Sequence, residues 1–304
     1  MKKVTRRTFI KLGAGAAAAC SFFPHMVFGE ESRGPTIGVA HGDKEKLVKA
    51  AVDALGGIDT FVRSGDTVCI KPNISFAANI ECGATTSPGV VKQVVSLCLA
   101  AGAARVIILD KTIQNAELCR EKSRIDEAVI DKKKVKVLTL TKKRQFGEVS
   151  IPGGSELQVV DVAKAIQSSD TLINVPTAKS HSATGVSLGI KNLMGLIWDR
   201  GLLHRLNLHR AIAELALVIK PDLTIIDATR ALTTGGPGGP GKTVKLDMAI
   251  AGRDIVAVDS YGVGITEWYD QAFTGNQVKY IVEAAGLGLG EIDTEKMHVV
   301  KVEV

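Results

Sequence analysis

The sequence predicts an α/β fold, a largely parallel β-sheet covered by helices on both faces. Three observations carry that prediction. Short apolar runs alternate with helical segments along the chain. The runs are continuous rather than alternating apolar and polar, as strands buried on both faces require. Aromatic residues make up only 4% of the 304 residues, so the core must be built from Val, Ile, Leu and Ala.

The elements follow in order. Thr36–Ala40 reads as a strand, and 44–55 as a helix ended by Gly56-Gly57. Thr67–Ile70 is a β-rich run leading into Lys71-Pro72-Asn73. Ser87 and Pro88 open a helix as N-cap and first residue, and it runs to Ala101 before Gly102. Arg105–Leu109 is a strand ending at Asp110, followed by strands at 135–140 and 148–151. The spacing predicts a short helix over 162–168 and a strand over 171–175 that stops at Pro176. An amphipathic helix over 208–219 halts at Lys220-Pro221. Strands at 223–226 and 248–251, helices at 254–262 and 277–285, and a closing strand at 298–304 complete the reading. No internal repeat or long linker interrupts it, which predicts a single domain over 30–304.

Residues 1–29 read differently. Lys2, Lys3, Arg6, Arg7 and Lys11 precede a short Ala/Gly-rich apolar stretch, and Val27-Phe28-Gly29 supplies a cleavage site. The paired arginines resemble a twin-arginine signal, with Ile10 where Leu is commoner. The expected partner is therefore the twin-arginine translocation machinery. The expected location is periplasmic or otherwise extracytoplasmic, reached in the folded state. Ala17-Ala18-Ala19-Cys20 also resembles a lipoprotein cleavage box, so lipid anchoring at Cys20 is a second option. The formal charge of +6 arises largely in this segment, which holds five bases and no acid. A nearly neutral body offers no electrostatic case for nucleic acid. No later run approaches about 18 uninterrupted apolar residues, so no stable transmembrane span is expected.

In parallel α/β sheets, ligands bind beyond the carboxyl ends of strands. That rule selects Lys71, Asn73, Asp110, Asn174, Lys179, His181 and Asp227. Lys191, Asn192, Arg200 and His204 extend this dense run of polar groups. Apolar Val186, Leu188, Ile190, Leu193 and Leu196 surround Lys191, so its amine either snorkels to the surface or is desolvated with a lowered pKa. His41, at the end of the first strand, is placed to approach the site from another loop.

Asp110 and Asp227 end apolar runs, where a carboxylate needs a cation or a metal, so a divalent ion is one candidate cofactor. Asp259 falls in a helical stretch and is suited to bracing neighbouring backbone. Cys69, Cys82, Cys98 and Cys119 show no Cys-x-x-Cys spacing, which argues against an iron–sulfur cluster. Cys69 and Cys98 read as core, and loop residue Cys82 as the reactive thiol. The segment from Gly236 to Thr243 has P-loop spacing, but Pro237 and Pro240 lack the N–H groups a phosphate cradle needs, and a strand rather than a helix follows. A rigid loop over a site is the better reading.

The ordered series Lys71-Pro72-Asn73, Thr85-Thr86-Ser87-Pro88, Asn174-Val175-Pro176 with Lys179 and His181, and Lys191-Asn192-Leu193-Met194-Gly195 resembles the domain of unknown function 362 family. Lys220-Pro221-Asp222-Leu223, Gly235-Gly236-Pro237 and Ala257-Val258-Asp259 extend the resemblance over nearly all of 30–304. Members are often exported or fused to ferredoxin-like modules. The resemblance implies an α/β fold, and it is similar, more distantly, to lactate racemase. Where the family commonly has a further lysine this chain has Thr177, which leaves Lys179 alone in its segment.

Two functions follow. One is an enzyme for a small anionic carboxylate or phosphate. Here Lys179, His181 and Lys191 are catalytic, and Lys71, Asn73, Thr85, Thr86, Asn174, Asn192, Arg200 and Gly236 hold the ligand. Asp110 and Asp227 orient a base or bind metal. The other is a non-catalytic, redox-associated protein that carries a metal or cofactor loaded before export.

Overall fold

The structure is a computed structural model and describes residues 34–304. The segment expected to be an export signal and Cys20 lie outside the described residues.

The chain opens with β1 (Thr36–His41) and α1 (Leu47–Asp53), then β2 (Thr67–Pro72) and α2 (Pro88–Ala100). Next come β3 (Arg105–Asp110), α3 (Ala116–Ser123) and β4 (Val135–Thr139). A hairpin of β5 (Phe146–Ser150) and β6 (Val159–Ala163) precedes the single turn α4 (Lys164–Gln167). β7 (Thr171–Val175), β8 (Thr177–His181) and β9 (Gly185–Ser187) lead into the short turns α5 (Gly189–Asn192) and α6 (Arg200–His204). Then follow α7 (Leu208–Val218), β10 (Leu223–Leu232), β11 (Thr243–Gly252) and α8 (Ile255–Val263). A small pair, β12 (Glu267–Trp268) and β13 (Gln271–Ala272), precedes α9 (Lys279–Gly286) and β14 (His298–Glu303).

The main sheet runs β14-β1-β11-β10-β7-β2-β3-β4, with β8 and β9 attached beside β10. Its pairs are parallel except those that β11 makes with β1 and β10, and the β8–β9 hairpin. Alternation along each strand divides the core into two layers. Val68 and Ile70 of β2 join Val106 and Ile108 of β3 on the face covered by α1 and α2. Cys69, Ile107 and Leu109 point to the other face, covered by α7, α8 and α9. In α2, Val90, Val91, Val94 and Val95 recur at helical spacing and are buried. Each such side chain contributes roughly 1.5–3 kcal/mol.

From β2 the chain moves to β3 and β4 on one side, then returns as β7 on the other side of β2 and continues outward to β10. The strand order therefore reverses between β2 and β7, where Lys71 pairs with Asn174. In sheets of this kind a crevice opens at that point, beyond the carboxyl ends.

Some local expectations need correction. The predicted helix over 162–168 is the end of β6 followed by one turn, because Val160, Val162 and Ala163 are buried on pairing with β5. The strands β8 and β9 and the helix α3 have no counterpart in the sequence reading. β8 is buried at all five positions, but Thr177, Lys179, Ser180 and His181 are polar, so it lacks the continuous apolar run that marks a buried strand. Ser87 does occupy the N-cap of α2, but its side chain makes no capping bond. Its backbone N–H donates instead to Asp227, 2.6 Å away.

Candidate functional site

Lys71, the penultimate residue of β2, turns its ammonium towards Asp110 at the end of β3, with Nζ 3.0 Å from Oδ1. The amine also donates to Asn192 Oδ1 at 3.0 Å and to the Pro72 carbonyl. The other Asp110 oxygen accepts from Ile74 N–H (2.9 Å) and Ser75 Oγ (3.1 Å). Arg200, at the start of α6, reaches Asp110 Oδ1 at 3.4 Å and binds the carbonyls of Met194 (2.8 Å) and Lys111. Gly195 packs over this ion pair.

Asn192 knits the ends of β2 and β7 together. Its Nδ2 donates to the Lys71 carbonyl (3.1 Å) and to Asn174 Oδ1 (2.9 Å), and its Oδ1 also accepts from Asn73 Nδ2 (3.2 Å). Lys179 enters from β8, donating to Asn73 Oδ1 (3.2 Å) and to the Ala84 carbonyl (2.7 Å). Its ammonium lies 4.8 Å from the centre of the Phe76 ring. Thr86 Oγ1 accepts from Asn73 N–H and donates to the Val175 carbonyl, which fixes the loop above β2. The hydroxyl of Thr85 is buried with no hydrogen-bond partner. Gly236 lies against the end of β8, its N–H donating to Ser180 Oγ at 3.1 Å. The Gly/Pro loop thus borders the crevice, and the extended β11 that follows gives it no helix N-terminus.

Lys191 stands apart from the other lysines. It sits in the one-turn α5, and its Nζ donates to the thioether of Met194 at 3.1 Å. Asp259 in α8 grips the start of that turn, accepting from Gly189 N–H (2.6 Å) and Ile190 N–H (2.8 Å). The bracing role expected for Asp259 is thus directed at the segment that carries Lys191 and Asn192. A Cβ on Gly189 would stand 2.6 Å from the Asp259 carboxylate, so only glycine allows this approach.

The electrostatics follow from this crowding. Lys71 is fully buried, and Lys179, Lys191 and His181 are 1%, 8% and 9% exposed. Burial lowers Lys71 to about 8, with Asp110 opposing the fall. Burial lowers Lys191 to about 7, and Arg200 adds to it. Lys179 falls well below its ordinary value through burial and the repulsion of Lys191. Burial, Lys191 and Lys179 hold His181 down at about 3. Its Nδ1 accepts from the Ala183 N–H at 3.1 Å. The proton of the neutral ring therefore sits on Nε2.

Asp227 belongs to a different network. Beyond Ser87 it accepts from the N–H and hydroxyl of Thr229 at 3.0 and 2.7 Å, so it fastens α2 to β10. Asp110 is taken by cations and N–H donors. Both carboxylates are thus engaged by protein donors, and among the described residues no group of three or more His, Cys, Asp and Glu could hold a metal ion. His41 lies away from the crevice, paired with Glu303 at the far edge of the sheet. Cys69 and Cys98 are buried, and Cys82 is half-buried beside the Gly/Pro loop. Ser75 and Phe76 were not singled out by sequence, and Met194 and Gly195 appeared there only within the motif that begins at Lys191; their positions next to Asn73 and Asn192 are the signal that could have flagged them as site residues.

The family model for the domain of unknown function 362 matches residues 68–264. The chain belongs to that family. The matched span includes the whole crevice, from Lys71 to Arg200, and its brace Asp259. A thylakoid-associated protein of Synechocystis is 26% identical over 226 residues, covering 70% of this chain. The chain spans about two-thirds of that relative's length, 66%. The lactate racemase apoprotein from Thermoanaerobacterium thermosaccharolyticum aligns with a TM-score of 0.48 and 16% identity, over 71% of this chain and 53% of its own. Among the described residues of this family member no helix is long and apolar enough to cross a membrane.

Proposed function

We propose that this protein is an exported enzyme that binds a small anion, a carboxylate or phosphate ester, at the β2–β7 crevice and moves a proton with Lys191. One observation carries the reading: Lys71, Lys179, Lys191 and Arg200 are gathered in one buried crevice where Asp110 is the carboxylate that answers them. Buried like charges are relieved in two ways, by losing protons or by gaining an anion. An enzyme acting on an anion uses both.

Lys71 and Arg200 are committed to Asp110, so they build the floor. Lys179 has a third N–H beyond those given to Asn73 and Ala84, and with the Asn73 amide it would receive the anionic group. Lys191, held near neutrality, is matched to general-base work at physiological pH. His181 is too weakly basic to carry the proton. Its neutral Nε2–H suits it to donate a hydrogen bond to a substrate oxygen. The twin arginines Arg6-Arg7 support export in the folded state, and the thylakoid association of the Synechocystis relative is in keeping with delivery to a membrane system.

Thermal unfolding with added phosphate or acetate, against chloride at equal ionic strength, tests the anion site. An anion at a hundred times its Kd should stabilise by about 2.7 kcal/mol, a Tm rise of roughly 5–10 °C. Lys179→Met should abolish the rise. If neither anion raises Tm beyond chloride, the reading fails.

A further inference from the structure

We infer that the Lys191 amine condenses with the carbonyl of a 2-oxo acid to form an imine. The inference rests on the anion site proposed above and names its substrate class.

The argument begins with what each lysine touches. Lys71 gives its protons to Asp110, Asn192 and the Pro72 carbonyl, and Lys179 gives two of its own to Asn73 and the Ala84 carbonyl. Oxygen acceptors stabilise an ammonium, so both are held as hydrogen-bond donors. At Lys191 the partner is sulfur, a weak acceptor, and among the described residues no oxygen accepts from its Nζ. A buried amine left this way keeps its lone pair, which is the condition for a nucleophilic lysine. Its backbone is fixed by Asp259, so the amine is presented from a braced turn rather than a loose loop.

The neighbours define the electrophile. His181 offers a neutral Nε2–H because the Ala183 amide occupies Nδ1. A donor of this kind polarises a carbonyl without protonating the amine's lone pair. Asp110 alone does not offset Lys71, Lys179 and Arg200, and Lys179, which is not paired with it, calls for a carboxylate close to that carbonyl. A 2-oxo acid has the two groups on adjacent carbons. The residual exposure of the cluster lies at Lys191, His181 and Arg200, while Lys71 and Asp110 are sealed beneath.

The step balances without a redox partner. Nζ forms a bond to the carbonyl carbon and the π pair moves to oxygen. A proton passes from nitrogen to that oxygen, giving a carbinolamine. The second proton of the nitrogen then passes to the hydroxyl, the C–O bond breaks as water leaves with its electron pair, and the nitrogen's pair closes the C=N bond.

The test uses the full chain with pyruvate as probe and cyanoborohydride to reduce any imine, followed by intact mass and peptide mapping. The expected result is a single adduct on Lys191, formed faster as pH rises through about 7, where its amine loses its proton. The exposed Lys49 serves as the internal reference for unselective labelling. Labelling of Lys191 no faster than Lys49 overturns the inference. Equal labelling by acetone and pyruvate overturns the substrate class, since acetone lacks the carboxylate. The phosphate and acetate shifts separate the two ideas. Anion stabilisation without an adduct leaves the anion site standing and removes the imine.

Discussion

Asp110 shows how far one side chain determines the crevice. Its carboxylate neutralises Lys71, steadies Arg200 and anchors the Ile74-Ser75 turn. Replacing one partner of a buried ion pair leaves the other charge uncompensated, at a cost of about 3–5 kcal/mol. Asp110→Asn should therefore lose stability on that scale in urea unfolding. Adding Lys71→Met to it should restore most of the loss. If the double variant is no better than the single one, the pair is not coupled as described. Gly195 depends on the same pair. A Cβ there would lie 2.1 Å from Asp110 Oδ1 and 2.6 Å from Lys71 Nζ, so Gly195→Ala must displace the bridge. At this scale, strand-end position revealed Lys71 and Asp110 as site residues. Their pairing was not legible, because β3 follows β2 only after a crossover, and no local spacing encodes the bond. His41 shows the converse. It too ends a strand, but β1 lies on the other side of β11 and β10 from the switch point.

At the scale of elements, the one-turn α5 carries more of the site than its length suggests. A single turn cannot hold itself, since it closes too few hydrogen bonds to offset its nucleation. Asp259 supplies the missing acceptors from α8, and Asn174 Nδ2 binds the Gly189 carbonyl at 3.0 Å. Asp259→Asn keeps the shape but turns an NH₂ towards one of the two N–H donors. The expected loss is about 1–3 kcal/mol, the cost of an unsatisfied buried donor. Amide hydrogen exchange should quicken at Gly189, Ile190 and Lys191, with the α2 amides unaffected. A uniform change across the chain would mean that Asp259 is an ordinary core group and not a brace for this turn. Helices with caps and long apolar strands were readable in sequence because their signals are local. α5 and β8 were not, since α5 depends on partners distant in the chain and β8, mostly polar, is held by β10 as well as by its hairpin neighbour β9.

The whole molecule stores the cost of its crevice as pH dependence. Lys191 and Lys71 are lowered to about 7 and about 8, from 10.5 in the unfolded chain. Above pH 7 the unfolded lysines bind more protons than the folded ones, so stability rises with pH as the buried amines discharge. Asp259 works in the opposite sense at lower pH. It is raised to about 7 by burial and by Asp254, so the stability its proton confers is complete below about 4 and lost by about 7. Cys98, pushed up to about 12 by burial, lowers stability once unfolded thiols ionise near 9. The window that isolates the lysines is therefore pH 7 to 9. There the urea midpoint should climb with pH in the anion-free protein. Lys191→Met should flatten the climb, and saturating phosphate should flatten it too, because a bound anion keeps the amines protonated. A midpoint that falls across this window would show that the lysines remain charged without a ligand. The surplus charge at the switch point would then have another source of relief, and the physical basis for an anion site in the crevice would be gone.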